Sequence, residues 1–243
     1  DITVHTWDRD ALRVVAEHSS RERIEVKTLG AVVSVRARAS RGAARAVDYV
    51  ITAPRWMDMN LSGTYSDVSV DGAEGRVVVE SGQGDVTVNG GRGLVSLQSL
   101  EGDVALTNAS GRIELNTTNG EIVARDLNGE VYAETVNGDI RLEAVRSGNV
   151  AATTVNGDLD YDGEIRNDGR YRLSTHNGDV TVAIPASANV TVSVATFQGE
   201  FESDFPLTLT PNAQGKRFSF TIGTGSGRLE LESFQGTIRL RRP

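Results

Sequence analysis

The sequence contains no cysteine. Disulfides, thiol nucleophiles and thiolate metal sites are therefore excluded, and the absence suits a protein exported by a bacterium. Aromatic residues are scarce, at 5%, and apolar residues reach only 38% of the 243. That is little for a compact globule, whose core leans on large rings. There are three histidines, His5, His18 and His176, far apart in the chain, and no HExxH, GxSxG or P-loop spacing. No apolar run approaches the ~20 residues needed to span a bilayer as a helix, so no transmembrane segment is expected. Positive charge is short too: 25 Lys and Arg stand against 33 Asp and Glu, for a net charge of −8. This argues against a nucleic-acid partner, which would need clustered Lys and Arg, and weakly against docking on anionic lipid. The first residue is Asp1, as in a processed exported protein or any trimmed chain.

What the sequence does have is glycine in register. Gly75, Gly84, Gly93, Gly102, Gly111, Gly120, Gly129 and Gly138 recur every nine residues, and the second and fourth residues after each are mostly Val, Ile or Leu. Short alternation followed by a turn predicts strands. Every second glycine carries a longer signature, so the full period is eighteen. A hydroxyl stands three residues before it (Ser81, Ser99, Thr117, Thr135, Thr154, Thr175, Thr196, Ser233). An amide or acid stands one before (Gln83, Glu101, Asn119, Asn137, Asn156, Asn177, Gln198, Gln235). An acid usually stands one after (Asp85, Asp103, Glu121, Asp139, Asp158, Asp179, Glu200).

A short fixed period of strand plus turn cannot bury its apolar face alone, but stacked copies can. The expected fold is all-β: a parallel β-helix, or β-solenoid, with ~18-residue coils built from two ~9-residue half-coils. Equivalent residues should stack ~4.8 Å apart, and right-handed winding is the prior for parallel crossovers. Residues 1–55 lack the rhythm and read as a strand-rich N-terminal cap over the first coil. Its strands are expected near Ile2–Val4, Leu12–Glu17, Ile24–Thr28, Val32–Ala39 and Val47–Thr52, with turns at Asp8–Asp10, Ser19–Ser20 and Ser40–Gly42. Trp7 and Trp56 are expected to anchor it, and Arg36, Arg38, Arg41 and Arg45 read as a solvated basic face and loop. Residues 56–243 read as the repeats of one continuous elongated domain. Insertions at Tyr161–Asp168 and Ser203–Pro211 should bulge from turns. The charge and proline of Arg239–Pro243 resemble the protection of an exposed edge. With no obvious cover over the last coil, an end-to-end homodimer is conceivable.

The repeats Thr117–Ile122, Thr135–Ile140, Thr154–Leu159 and Thr175–Val180 share the pattern Asn-Gly-acid-apolar. Before them stand His5-Thr-Trp-Asp8, Leu12-Arg-Val14 and Asp48–Pro54. Taken together, these make the chain resemble the bacterial domain-of-unknown-function 4097 family, often labelled adhesin-like. The resemblance covers most of the chain. It implies a parallel β-solenoid outside the cytoplasm, and it brings no catalytic residues.

The corner residues Thr117, Thr135, Thr154, Thr175, Asn119, Asn137, Asn156, Asn177, Gly120, Gly138, Gly157 and Gly178 read as a structural ladder. The hydroxyls should bond neighbouring backbone. Asn and Gly both tolerate positive φ, and stacked amides can bond along the axis. The acids Asp85, Asp103, Glu121, Asp139, Asp158 and Asp179, with Asp67 and Glu200, should share one edge. Carboxylates ~5 Å apart repel by roughly 1 kcal/mol per pair in water, so turn N–H groups should offset them. A divalent cation between rungs is the alternative. However, the calcium nonapeptide G-G-x-G-x-D-x-U-x does not fit this register, so neither metal nor cofactor is expected.

The outward column Val78, Thr87, Ser96, Ala105, Glu114, Val123, Tyr132, Arg141 is too irregular for an ice-binding face. His176 occupies the place of Val136 and Val155 and reads as a packed or edge residue, not a base. The best enzyme alternative is a β-helix polysaccharide lyase or glycosidase, which would need paired acids in a groove; Asp160, Asp162 and Glu164 are the nearby acids. The favoured expectation is a non-enzymatic extracytoplasmic scaffold presenting a rigid face to a protein or glycan partner.

Overall fold

The computed structural model describes residues 1–39, 46–185, 187–205 and 217–242. Every described element is a strand. One large sheet of 21 strands dominates, and a separate two-stranded sheet is formed by Glu22–Leu29 and Val32–Ala39.

The large sheet is mostly parallel and runs in two columns. In the first, Val77 pairs with Val95, Val95 with Ile113 and Ile113 with Val131. In the second, Val68 pairs with Val86, Val86 with Val104, Val104 with Ile122 and Ile122 with Ile140. Partners lie eighteen residues apart in both. The long strand Ile140–Asn156 contributes to each column in turn. Alternation decides what is inside: Val77, Val79, Val95, Leu97, Ile113, Leu115, Ile122, Ile140 and Leu142 are fully buried. Their neighbours between point outward, because successive side chains of a strand face opposite ways.

The expected insertion at Tyr161–Asp168 begins inside the strand Leu159–Gly163, so Tyr161–Gly163 continue a paired rung instead of bulging from a turn. Here the core changes character. Tyr161 and Tyr171 enter the interior with ring centroids 5.9 Å apart. The Tyr161 hydroxyl donates to the Glu164 carbonyl at 3.0 Å and that of Tyr171 to the Ser147 carbonyl at 2.7 Å. A buried phenol needs such a partner, and burial pushes both phenols above the ordinary tyrosine range.

The strand order at both ends departs from chain order. Strand Ile2–Trp7 lies between Asp48–Pro54 and Val68–Ala73, parallel to both. Arg13–Glu17 then closes that end antiparallel to Asp48–Pro54. At the other end, Gly227–Gln235 lies between Arg170–Asn177 and Val190–Thr196. Ile238–Arg241 likewise lies between Val180–Ala183 and Phe201–Ser203. The expectation of an exposed edge at Arg239 is therefore corrected: this strand is an internal rung. The reason is that Leu229, Leu231, Ser233, Gly236, Ile238 and Leu240 carry the apolar, hydroxyl and glycine positions of the repeat, with Thr237 in place of the acid, and so fit an inner slot. The last coil also has a cover, the antiparallel strand Arg217–Ile222 on Val190–Thr196. Phe218 and Phe220 of that strand pack against Phe201 at 5.0 and 5.8 Å between centroids.

In the N-terminal segment, the strands are Ile2–Trp7, Arg13–Glu17, Glu22–Leu29, Val32–Ala39 and Asp48–Pro54, close to the expected ones. Trp7 is half-buried and donates its indole N–H to the Ala11 carbonyl at 2.8 Å. Trp56 is 60% exposed and anchors nothing. The expected turn at Ser40–Gly42, Arg41, Arg45 and most of the insertion at Ser203–Pro211 lie outside the described residues.

Candidate binding surface

One corner of the repeat brings the recurring hydroxyl, amide and acid residues into columns. The hydroxyls are buried and donate to the carbonyl of the preceding rung's turn. Ser99 reaches Gly84, Thr117 reaches Gly102, Thr154 reaches Gly138 and Thr175 reaches Gly157, all at 2.9 Å; Thr135 reaches Gly120 at 3.1 Å. The glycine is required by that closeness. A Cβ on Gly138 would lie 1.9 Å from the Gly120 carbonyl oxygen.

The amides stack outside the hydroxyls. Asn137 donates to the Asn119 side-chain oxygen at 2.8 Å, Asn156 to Asn137 at 2.8 Å and Asn177 to Asn156 at 2.7 Å. Positive φ is not the reason for Asn here. Among the described residues, the non-glycine residues with positive φ are Asn108, Asp126 and Ala144, at φ 57°, 54° and 52°. They stack eighteen apart at the opposite corner, and Ala144 gives no sign of this in the sequence.

The carboxylates are held by backbone. Asp85 N–H donates to Asp67 at 2.9 Å, Asp103 to Asp85 at 2.8 Å and Glu121 to Asp103 at 2.7 Å. Asp158 N–H donates to Asp139 at 2.8 Å, Asp179 to Asp158 at 2.8 Å and Thr237 to Asp179 at 2.7 Å. Glu121, one methylene longer, is instead paired with Arg141, whose guanidinium also lies 3.3 Å from Asp139 and 3.9 Å from Asp160. At the last rung the Glu200 carbonyl accepts from Ile238 N–H at 2.9 Å. Among the described residues, no group of three or more His, Cys, Asp and Glu side chains is placed to hold a metal ion.

Asp179 links the inserted C-terminal strand to the rest. Arg239 lies 2.6 Å from its carboxylate. Burial pushes the Asp179 pKa up, but the Thr237 N–H and Arg239 outweigh it, and the group is held below its ordinary value of 3.8. A lowered carboxylate pKa contributes stability above the ordinary value, and this is lost as pH falls through the folded one. Asp179→Asn should therefore loosen residues 227–241 at neutral pH and remove part of the acid sensitivity below about pH 4. Hydrogen exchange of the Thr237 and Ile238 amides at the two pH values measures both.

Two residues before each corner glycine, the side chain points out, and this column has no consensus. It runs Leu100, Thr118, Val136, Val155, His176, Phe234, Phe197. Backbone bonds tie its rungs: Asn119 N–H to the Leu100 carbonyl, Asn137 to Thr118, Asn156 to Val136 and Gln198 to Phe234, at 2.8–3.0 Å. Leu100, Val136, Val155, Phe234 and Phe197 are all exposed, Phe197 by 59%. The rings of His176 and Phe234 stack at 4.6 Å, and those of Phe234 and Phe197 at 4.7 Å, each pair within 8° of parallel. His176 is thus an edge residue within an aromatic stack. The column forms a ridge of apolar side chains at strand spacing, flanked by the amide ladder. Sequence reasoning placed Val136, Val155 and His176 at one position but missed the ridge; the signal was apolar residues where a solvated corner should be polar.

Two open depressions lie on the surface, the first beside Leu100 of the ridge and the second away from it. One, of about 350 Å³, is lined by Ser62, Thr64, Glu80, Gln98 and Leu100. The other, of about 410 Å³, is lined by Arg112, Glu130, Asn149 and Arg166. Each has a single carboxylate in its lining, whereas hydrolysis of a glycosidic bond by an acid pair needs two. Of the acids singled out in the sequence, Asp160 faces Arg141 and Glu164 lies 3.9 Å from Arg146, while Asp162 is exposed.

No curated protein matches the chain. A crystal structure from Clostridium sporogenes, described as a "putative cell adhesion protein", is similar over 100% of this chain and 90% of its own, at 11% identity and a TM-score of 0.28. The Toastrack DUF4097 family matches residues 1–241. With nearly every residue inside that match, the chain belongs to the Toastrack DUF4097 family.

Proposed function

We propose that this protein is a non-enzymatic, extracytoplasmic binding scaffold. In this reading it is a right-handed β-solenoid of ~18-residue coils that presents its corner ridge to a protein partner. The observation that carries the reading is the exposed column from Leu100 to Phe197, built on a backbone that hydrogen-bonded ladders hold rigid. Exposed apolar patches of this kind mark interaction sites. A protein partner fits better than a glycan, because sugars stack on ring faces and the rings here stack on one another. Aliphatic rungs such as Val136 and Val155 suit apolar side chains.

The test is the double variant Val136→Lys/Val155→Asp, whose opposite charges do not repel on adjacent rungs. Both side chains are exposed, so the melting temperature should hold within about 2 °C. Cross-linking to envelope proteins should fall at least tenfold, and a glycan array should show no signal for either protein. Unchanged cross-linking by the variant would sink the proposal. So would glycan binding that the variant abolishes.

A further inference from the structure

We propose that the hairpin Glu22–Ala39 docks on an anionic phospholipid bilayer. Among the described residues the hairpin pairs only with itself, and none of its side chains belongs to the hydrophobic core. It springs from between Arg13–Glu17 and Asp48–Pro54, the strands that close the N-terminal end of the large sheet.

Its register separates two faces, because directly paired residues share a side of the sheet. Beyond Glu22 at its base, which is buried opposite Ala39 and accepts from the Ser19 hydroxyl, one face is apolar: Ile24 opposite Ala37, Val26 opposite Val35, Thr28 opposite Val33. The other carries Arg23 opposite Arg38, Glu25 opposite Arg36 and Lys27 opposite Ser34. Four cations stand there against one carboxylate, Glu25, which Lys27 and Arg38 approach at 2.7 and 2.8 Å. The tip turns at Gly30, with φ 60°. Leu29, Gly30, Ala31, Val32 and Val33 form an uncharged run that is exposed throughout, with Leu29 at 84% and Val32 at 63%. Consecutive exposed apolar residues at a hairpin tip are unfavourable in water unless something covers them, and an isolated two-stranded hairpin is marginal without a surface to pack on.

Charge selects the occupant. Pairing of this arm with the same arm of a second copy would set its cations against like charges, whereas an anionic surface is complementary to it although the chain as a whole carries −8. An apolar edge beside a cationic face is the arrangement that sinks to the headgroup boundary of a bilayer and holds anionic headgroups. The tip enters, Arg23, Lys27, Arg36 and Arg38 lie against the phosphates, and the acidic remainder of the chain is repelled outward. The whole-chain charge, which argued against lipid, hides this local reversal.

The test is flotation of the full chain with vesicles of phosphatidylcholine alone or with about one-third phosphatidylglycerol. The protein should float with the anionic vesicles and not the neutral ones. Leu29→Asp/Val32→Asp and, separately, Arg23→Gln/Arg36→Gln should each cut partitioning roughly tenfold or more. All four positions are exposed, so melting curves should overlay and exclude misfolding. Three outcomes overturn the proposal. They are failure to float with anionic vesicles, equal flotation after the tip substitutions, and a dimer in light scattering that Leu29→Asp/Val32→Asp splits, which would make a second copy the cover.

Discussion

Gly138→Ala should lower the melting temperature by roughly 10 °C, from a loss of about 3–5 kcal/mol. The added methyl would stand 1.9 Å from the Gly120 carbonyl oxygen, an atom of a neighbouring rung's backbone. Side-chain repacking cannot relieve such a contact, so the two rungs must part. Their separation strains the Thr135 hydroxyl bond to that same carbonyl and the amide bond between Asn137 and Asn119. Gly93→Ala is the control. Gly93 has φ 80°, but an added Cβ meets nothing within 4 Å, so only conformational strain of about 1–2 kcal/mol is expected. Differential scanning calorimetry of the two variants decides the matter. Equal shifts would mean that rung contact is not what demands glycine.

Ending the chain at residue 226 should cost far more than trimming a normal terminus. Leu229, Leu231, Ile238 and Leu240 are all buried, and each contributes about 1.5–3 kcal/mol of apolar burial. Their strands also satisfy backbone groups on both neighbours, from Arg170–Asn177 on one side to Val190–Thr196 on the other. Removing them opens a slot inside the sheet. Val190–Thr196 and its cover Arg217–Ile222 then lose their attachment to the column. Val190–Thr196 and Arg217–Ile222 should lose amide protection, while residues 77–134 keep theirs. Hydrogen exchange with mass-spectrometric readout tests this, and retained protection at Val192 and Val194 would contradict the strand order described above.

How much of this was legible in the sequence depends on how each feature is encoded. The corner was legible because every rung writes it again. Asn119, Asn137 and Asn156 bridge one another in the backbone as their spacing implies, and the carboxylates meet turn N–H groups as their repulsion demands. The strand order at the ends was not legible, for the same reason. A repeat that fits every slot cannot say which slot it takes, so Gly227–Arg241 looked terminal when it lies one rung inside. The ridge escaped because an outward corner position is free of packing constraint, so Leu100, Thr118, Val136, His176 and Phe234 share no consensus. The Ala144 conformation escaped because its φ is imposed by the stacked turn around it, against its own preference.

The placing of the two outermost sequence segments within the sheet has a mechanical consequence. Ile2–Trp7 and Ile238–Arg241 are each gripped on both flanks by parallel partners. A pull along either strand would shear two rows of bonds at once, where a strand on the rim would peel from a single row. A molecule tethered through such segments would bear tension at its anchorage points first, and well.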